Sequence, residues 1–512
     1  MNHPETTEQF DAIIIGSGMG GLTVASLLAQ LGKKRVLILE RHFKLGGFTH
    51  SFRRGKFEWD VGVHYVGEMY PKALSRKVMD LVTGKAVDWQ PGGPIIERYH
   101  FPEGNFEVPS DPKLFQKSLC EKFPDEAAEI NRYFKDLKSC QLWFARWCMS
   151  KYLPKWLGRL LVWPGKKLAM TITADYMKRF RSQHLKGILT GQWPDFGAPP
   201  EKSAMAFHSA VASDFLKGSY YPIGGAQCIS DSVEVIVEKH GGKCLVNRDV
   251  SEIIVEGGRA VGVRASHKGA VVTYRAPIIV SNANAGVTFG KLVPKDYCAE
   301  EKSKVARLKA GVSALILFLG LKDDPRKHGF DDANYWLYSS SNHDLASQQS
   351  DPRMIEGGFL SFGSLRDPAA KSHVAQIIGF SQYDYWREYA TKRWKRRGED
   401  YESIKEEIAN HMIERAEQFM PGIKELVEYK ELATPVTVET FANHPQGMIY
   451  GQLCDADRVE KDSWRISTSL PGLYLAGSDV GSPGVNGAMM ASLFTAVKLL
   501  GPFGLVKVFS RL

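Results

Sequence analysis

Residues 11–47 read DAIIIGSGMGGLTVASLLAQLGKKRVLILERHFKLGG, and the requirements of a dinucleotide-binding unit fall within them in order. The apolar run Ala12–Ile15 predicts a buried parallel strand. Gly16, Gly18 and Gly21 follow in G-x-G-x-x-G spacing, where that strand turns into a helix. Gly16 permits the tight turn, Gly18 lets backbone approach a pyrophosphate, and Gly21 lets the helix pack on the sheet with its positive N-terminal end toward phosphate. Ser17 and Gly20 complete the turn as candidate cofactor contacts. The helix predicted from about Gly20 to Leu31 presents Leu22, Ala25 and Leu28 at helical spacing, stops at Gly32, and is followed by a strand at 35–39. Glu40 closes that strand nineteen residues after Gly21, where a carboxylate accepts both hydroxyl protons of an adenosine ribose and disfavours a 2′-phosphate. Arg41 stands beside it as a further candidate contact.

A second glycine pair, Gly46 and Gly47, selects FAD over NAD, because a flavin nucleotide brings its pyrophosphate under a second close backbone approach. The following stretch KLGGFTHSFRRGKFEWDVGVHYVG, 44–67, resembles the region after the nucleotide fold in retinol saturases, carotenoid isomerases and bacterial phytoene desaturases. Its GVHY, 62–65, is closest to the retinol saturase pattern. The resemblance recurs at Ser364–Pro368 and Pro471–Ser492. It implies an α/β fold: a Rossmann-like FAD-binding domain of the amine oxidase and phytoene desaturase type, an α+β substrate domain, and a helical membrane-associating region. It also implies that Gly62 contacts the cofactor and that His64 and Tyr65 flank the flavin. There His64 either donates a proton during double-bond saturation or hydrogen-bonds the ring.

Two further segments extend the nucleotide fold. In the stretch from Tyr220 to Val263, Gly224 and Gly225 precede a helical pattern ending at Gly241 and Gly242, and strands are predicted at 243–246, 250–255, 260–264 and 278–282. By resemblance, Val250 offers its backbone to adenine. The third segment, PGLYLAGSDVGSPGVNGAMMASLFTAVKLLG from Pro471, repeats strand, glycine-rich turn and helix. Gly477 and Asp479 match family positions that approach the ribityl chain and pyrophosphate, and a helix starting near Val485 or Asn486 aims its amides toward the flavin pyrimidine. The expected division is therefore a discontinuous FAD-binding domain of 1–74, 216–294 and 436–512, with 75–215 and 295–435 forming the substrate-binding and membrane-facing region. In the latter, strands are predicted at 312–319, 359–362 and 374–380, and a helix at 401–420 with Ile404, Ile408, Met412, Ala416 and Met420 on one face.

Length and composition set outer bounds. At 512 residues the chain exceeds one ordinary core. Charged residues at 24% and hydrophobic ones at 44% exclude a disordered chain, and no apolar run reaches the roughly eighteen residues of a spanning helix. The start, MNHPETTEQF, has neither a basic nor an apolar region of a targeting signal, so a cytoplasmic bacterial protein is expected, peripherally attached to membrane. Seven cysteines without C-x-x-C spacing support neither a metal site nor a disulfide framework.

Membrane attachment is read from 143–186, where Trp143, Trp147, Tyr152, Trp156 and Trp163 are interleaved with basic residues, a mixture suited to a headgroup layer. The C-terminal GPFGLVKVFSRL is placed beside it. The basic run TKRWKRR at 391–397 reads as a solvated face, since no nucleic-acid module accompanies it.

These readings imply non-covalent FAD and an apolar isoprenoid or polyene substrate, with the electron donor or acceptor open. Saturation in the manner of retinol saturases is preferred; carotenoid cis/trans isomerisation and phytoene-type desaturation remain alternatives. Rab GDP-dissociation inhibitors share the architecture as non-enzymatic prenyl-binding proteins, but the intact Gly16, Gly18, Gly21 and Glu40 argue against that class. His444, in FANHPQGMIYG, either approaches the flavin or stabilises the turn before Pro445.

Overall fold

A computed structural model describes residues 7–346, 351–355, 357–461 and 463–512. The N-terminal stretch read for targeting signals is thus described only from residue 7.

At the centre of the nucleotide-binding part, a parallel five-stranded sheet runs in the order Lys243–Leu245, Val36–Leu39, Ala12–Ile15, Ile279–Ser281, Leu473–Leu475. Its strands come from all three glycine-marked segments. Each is short and apolar because both faces are covered. Ala12, Ile14, Val36 and Ile38 pack into one core with helices Met19–Gly32, Gln227–Lys239 and Gly484–Leu499. Ile13, Ile15, Leu37 and Leu39 face a second core. That second core is closed by a four-stranded sheet of 7–9, Ala270–Arg275, Arg259–His267 and Asp249–Glu256, of which the Ala270–Arg275 strand was not anticipated. The first helix ends one residue later than its glycine suggests: Lys33, not Gly32, adopts the left-handed conformation, at φ 50°.

A seven-stranded mixed sheet forms the other half, in the order Val427–Ala433, Ser313–Leu321, His373–Ser381, Gly358–Ser361, Asn334–Leu337, Ile95–His100, Phe106–Pro109. Side chains alternate across it. Leu315, Leu317, Leu319, Leu360 and Ile377 pack beneath the helix Glu399–Phe419, through Ile408, Met412 and Ala416. Ile316, Phe318, Trp336, Phe359, Ile378 and Phe380 face the opposite way, into a cavity.

Helices from Pro112 to Phe215 pack into one core with Trp336, Tyr338 and Phe359, and among them the turn Trp193–Asp195 reaches the cavity. The longest, Ala127–Ser150, buries Ile130, Tyr133, Leu137, Cys140, Phe144 and Trp147 at alternating three- and four-residue intervals, the stripe of a helix packed on one side. This corrects part of the membrane reading. Trp143 and Trp147 are core residues at 1% and 4% exposure, and Lys151 is buried with its ammonium over the Trp147 ring. The exposed tryptophans come afterwards, on helix Lys155–Val162 and the residue following it, where Trp156 and Trp163 are 66% and 75% exposed. No described helix is long and apolar enough to cross a membrane.

Candidate functional site

A cavity of about 1150 Å³ begins at the C-terminal ends of the central parallel strands and extends across the seven-stranded sheet. Gly16, Gly18, Gly20, Gly46 and Gly47 line its first end; Gly16, Gly46 and Gly47 hold positive φ, and at Gly20 and Gly47 neighbouring backbone leaves no room for a side chain. A Cβ on Gly20 would stand 2.4 Å from Gly477 Cα, and one on Gly47 would stand 2.9 Å from Gly18 Cα. The three glycine motifs therefore meet as one backbone surface. Gly21 lies behind it, where a Cβ would fall 2.2 Å from the Gly16 carbonyl oxygen, and so acts in helix-to-strand packing. No side chain caps the start of helix Met19–Gly32, and its first turn holds no acid, leaving its positive end free for an anion.

Glu40 lines the same end with its carboxylate fixed from behind. Its Oε2 accepts hydrogen bonds from Ser17 N at 2.8 Å and Ser17 Oγ at 2.6 Å, and its Oε1 accepts one from His42 N at 2.8 Å. A carboxylate offers about four acceptor directions, so roughly one stays open to the cavity, fewer than the two hydroxyls assigned from sequence. Ser17 itself is fully buried and does not face the cavity; its Oγ also accepts from Gly46 N at 2.9 Å, binding the first glycine turn to the second. Arg41, Gly62 and Val250 all reach the cavity wall.

The closing segment presents Gly477, Asp479 and Val485 to the cavity. Asp479 Oδ2 accepts from Ala285 N at 2.7 Å, while its Oδ1 is buried with no hydrogen-bond partner among the described residues. The Asn486 side chain does not line the cavity: its Nδ2 donates to Gly67 O at 2.8 Å and anchors the chain leaving GVHY. Its helix starts at Gly484.

His64 and Tyr65 diverge. His64 lines the cavity with its ring 5.3 Å from that of Phe359, and burial beside the Arg366 guanidinium lowers its pKa to about 3, keeping the imidazole neutral. Arg366, in the Ser364–Pro368 stretch, donates to His64 O and to Asn334 Oδ1. Tyr65 turns away from the cavity, contrary to the paired role read from sequence; its ring packs on Phe215 and its hydroxyl donates to Asp195 Oδ2 at 2.6 Å. His444 lines the cavity while its Nδ1 lies 3.0 Å from Met448 O, a contact that braces the turn around Pro445.

Several contributors carried no signal in sequence. Trp193, Asp195 and Tyr450 reach the cavity from loops and short turns. Asn282, at the end of the Ile279–Ser281 strand, fills the space between the first and third glycine turns, with its Oδ1 lying 2.5 Å from a Cβ built on Gly20 and 2.4 Å from one built on Gly477. The buried Arg458 holds the carbonyls of Gln452, Ser478 and Gly481 and so shapes the closing loop. Asp60 accepts from Tyr221 Oη and Ala226 N, with burial raising its pKa to about 7. No group of three or more metal-ligating side chains is assembled among the described residues.

A parallel sheet with a glycine cradle at its strand ends, opening directly into a large apolar chamber, defines a dinucleotide-dependent enzyme class whose cofactor and substrate share one space. The sequence profile of flavin containing amine oxidoreductases matches residues 19–500, and the chain belongs to that family. It is 29% identical to the all-trans-retinol 13,14-reductase of Danio rerio over 95% of this chain and 85% of that protein. It is also 27% identical to prolycopene isomerase 2 of an Oncidium hybrid cultivar, over 92% of this chain and 80% of that protein. Among solved structures, putrescine oxidase bound to putrescine superposes with a TM-score of 0.64 at 13% identity, covering 97% of this chain and all of that one, which is a likeness of fold.

The family implies FAD, and the residues present fit it. The backbone surface at Gly18 and Gly47 leaves space for a pyrophosphate, the uncapped helix end favours its charge, and the unpartnered Asp479 Oδ1 meets the cavity where a hydroxyl donor is needed. When bound, FAD supplies two-electron chemistry by hydride transfer.

Proposed function

We propose that this chain reduces a carbon-carbon double bond of a long polyene, with non-covalent FAD as its redox cofactor. The observation that carries this reading is the continuity of the cavity: the glycine cradle and the wall of Trp336, Phe359, Ile378 and Phe380 line one chamber. That wall is aromatic and aliphatic, as a polyene requires. Glu40, Asp479 and the glycines hold the nucleotide, while the ring wall orients the polyene and excludes water from the reacting carbons. The similarity to a retinol reductase supports saturation, and the similarity to a prolycopene isomerase supports redox-neutral isomerisation as the second reading.

The substrate reaches the chamber from a membrane surface in this reading. Trp156, Leu160 and Trp163 stand outward together with the basic Lys155 and Arg159, a composition that suits a headgroup layer.

Dithionite-reduced enzyme incubated anaerobically with retinoids and carotenoids tests the reaction. A product heavier by two hydrogens is expected. Unchanged mass with altered retention would select isomerisation; loss of two hydrogens by oxidised enzyme with an added acceptor would reverse the direction. Inactivity toward all of them in every redox state would overturn the substrate class.

A further inference from the structure

Saturating a double bond takes a proton as well as a hydride, and His64 on the cavity wall is poorly suited to give it. His64 sits beside Arg366 and is held neutral. A different acid stands nearby. Asp195, in the turn Trp193–Asp195, lines the aromatic end of the chamber, and Tyr65 joins it to the residues behind the wall.

The Tyr65 ring packs against Phe359 and its hydroxyl donates to Asp195 Oδ2, so the carboxyl is fixed on the side of the ring that faces polyene space. Tyr65 also interacts with Glu97, a fully buried acid whose Oε2 accepts from Trp336 Nε1 at 2.6 Å and whose Oε1 accepts from Gln192 Nε2 at 3.2 Å. Two carboxyls and a phenol thus stand in one apolar enclosure, also faced by Tyr99, Tyr338 and Tyr450, with Arg366 near Glu97 and Tyr65. Burial and the charge of Glu97 raise the Asp195 pKa well above the ordinary carboxylate range, and burial raises Glu97 to about 7. A carboxyl in such surroundings keeps its proton at neutral pH and can give it.

Resting on the saturation reading, we infer that Asp195 is the proton donor to the polyene, held in place by Tyr65. Bound reduced flavin would be the reductant, supplying the hydride to one carbon of the double bond as it is oxidised. The π electron pair moves to the neighbouring carbon and takes the Asp195 proton, forming the second C–H bond and leaving a carboxylate. Asp195 regains a proton from solvent when product leaves the open cavity. The polyene gains two hydrogens and two electrons, and no further reactant is needed.

Asp195→Asn preserves shape and removes the proton. With the FAD-loaded enzyme, single-turnover reduction of the polyene is expected to fall by about 10²- to 10⁴-fold, with FAD content and polyene affinity unchanged, while Asp195→Glu restores part of the rate. Infrared spectroscopy of the flavin-free protein gives a reading independent of turnover: the carbonyl band of a protonated carboxylic acid is expected in the parent and lost in Asp195→Asn, so that it stands in the parent-minus-variant difference spectrum. Reduction by Asp195→Asn at the parent rate, or a difference spectrum without that band, would overturn the inference. A parent enzyme that reduces no polyene would instead defeat the saturation reading beneath it.

Discussion

The two ends of the chamber are built of different material. At the nucleotide end the wall is backbone: Gly20 lies so close to Gly477, and Gly47 to Gly18, that a single carbon added at either Gly20 or Gly47 meets main chain. At the other end the wall is side chain, with Trp336, Phe359 and Phe380 projecting from strands of one sheet. Backbone surfaces have no rotamers with which to yield, whereas ring walls can repack or give up volume. The cradle should therefore be intolerant of change and the wall graded in its response.

The largest effect should come from the cradle. Gly20→Val places atoms where Gly477 Cα stands 2.4 Å from even a Cβ, and purified protein is expected to carry almost no FAD and to lose at least the roughly 1–3 kcal/mol typical of overpacked sites. FAD-to-protein ratio and thermal unfolding measure this; full flavin content would show that the cradle yields after all.

Next comes an acid response from behind the ring wall. His208 is buried with Nε2 2.9 Å from Tyr133 Oη, and burial lowers its pKa to about 4. The unfolded chain, titrating near 6.5, binds more protons in the interval between, so stability present above pH 6.5 is lost as pH falls toward 4. Relative to the parent, His208→Gln should remove a loss on the order of 3 kcal/mol over that interval. Parallel stability curves for the two proteins in denaturant titrations at each pH would remove His208 from the account.

A smaller effect is expected at Glu40, whose carboxylate gathers Ser17 and His42 as well as facing the cavity. Glu40→Ala should weaken FAD binding by about 1–3 kcal/mol, read by equilibrium dialysis; unchanged affinity would mean its part is confined to bracing the turn. The smallest effect on stability belongs to the outer surface. Trp156→Ala with Trp163→Ala should leave unfolding within about 0.5 kcal/mol of the parent while reducing sedimentation with anionic vesicles. Equal sedimentation would remove this surface as the anchor.

The same difference in material explains what could be read in advance. A backbone requirement fixes residue type at fixed spacing, so Gly16, Gly18, Gly21, Glu40 and the pair Gly46 and Gly47 announced the strand, turn and helix around them. The strands at 313–321 and 373–381 were also visible as apolar runs, but alternation alone did not say which face met the helix and which met the cavity. Nor could spacing show that Tyr65 points away from His64, a consequence of neighbours on opposite sides of an irregular segment. Asp195 and Asn282 carried no motif, since their positions depend on chain segments far apart in sequence. The tryptophans at 143–163 were misread in part because helical spacing buries Trp143 and Trp147 while a new helix exposes Trp156.

The central claim is that cradle and ring wall form one chamber in which cofactor and polyene meet. A crystal structure with FAD and a bound polyene tests it most directly. The account expects the FAD pyrophosphate against Gly18 and Gly47 and the polyene along Trp336, Phe359 and Phe380, with one of its double bonds in van der Waals contact with the flavin; a polyene bound elsewhere, or separated from the flavin by an intact wall of protein, would contradict it.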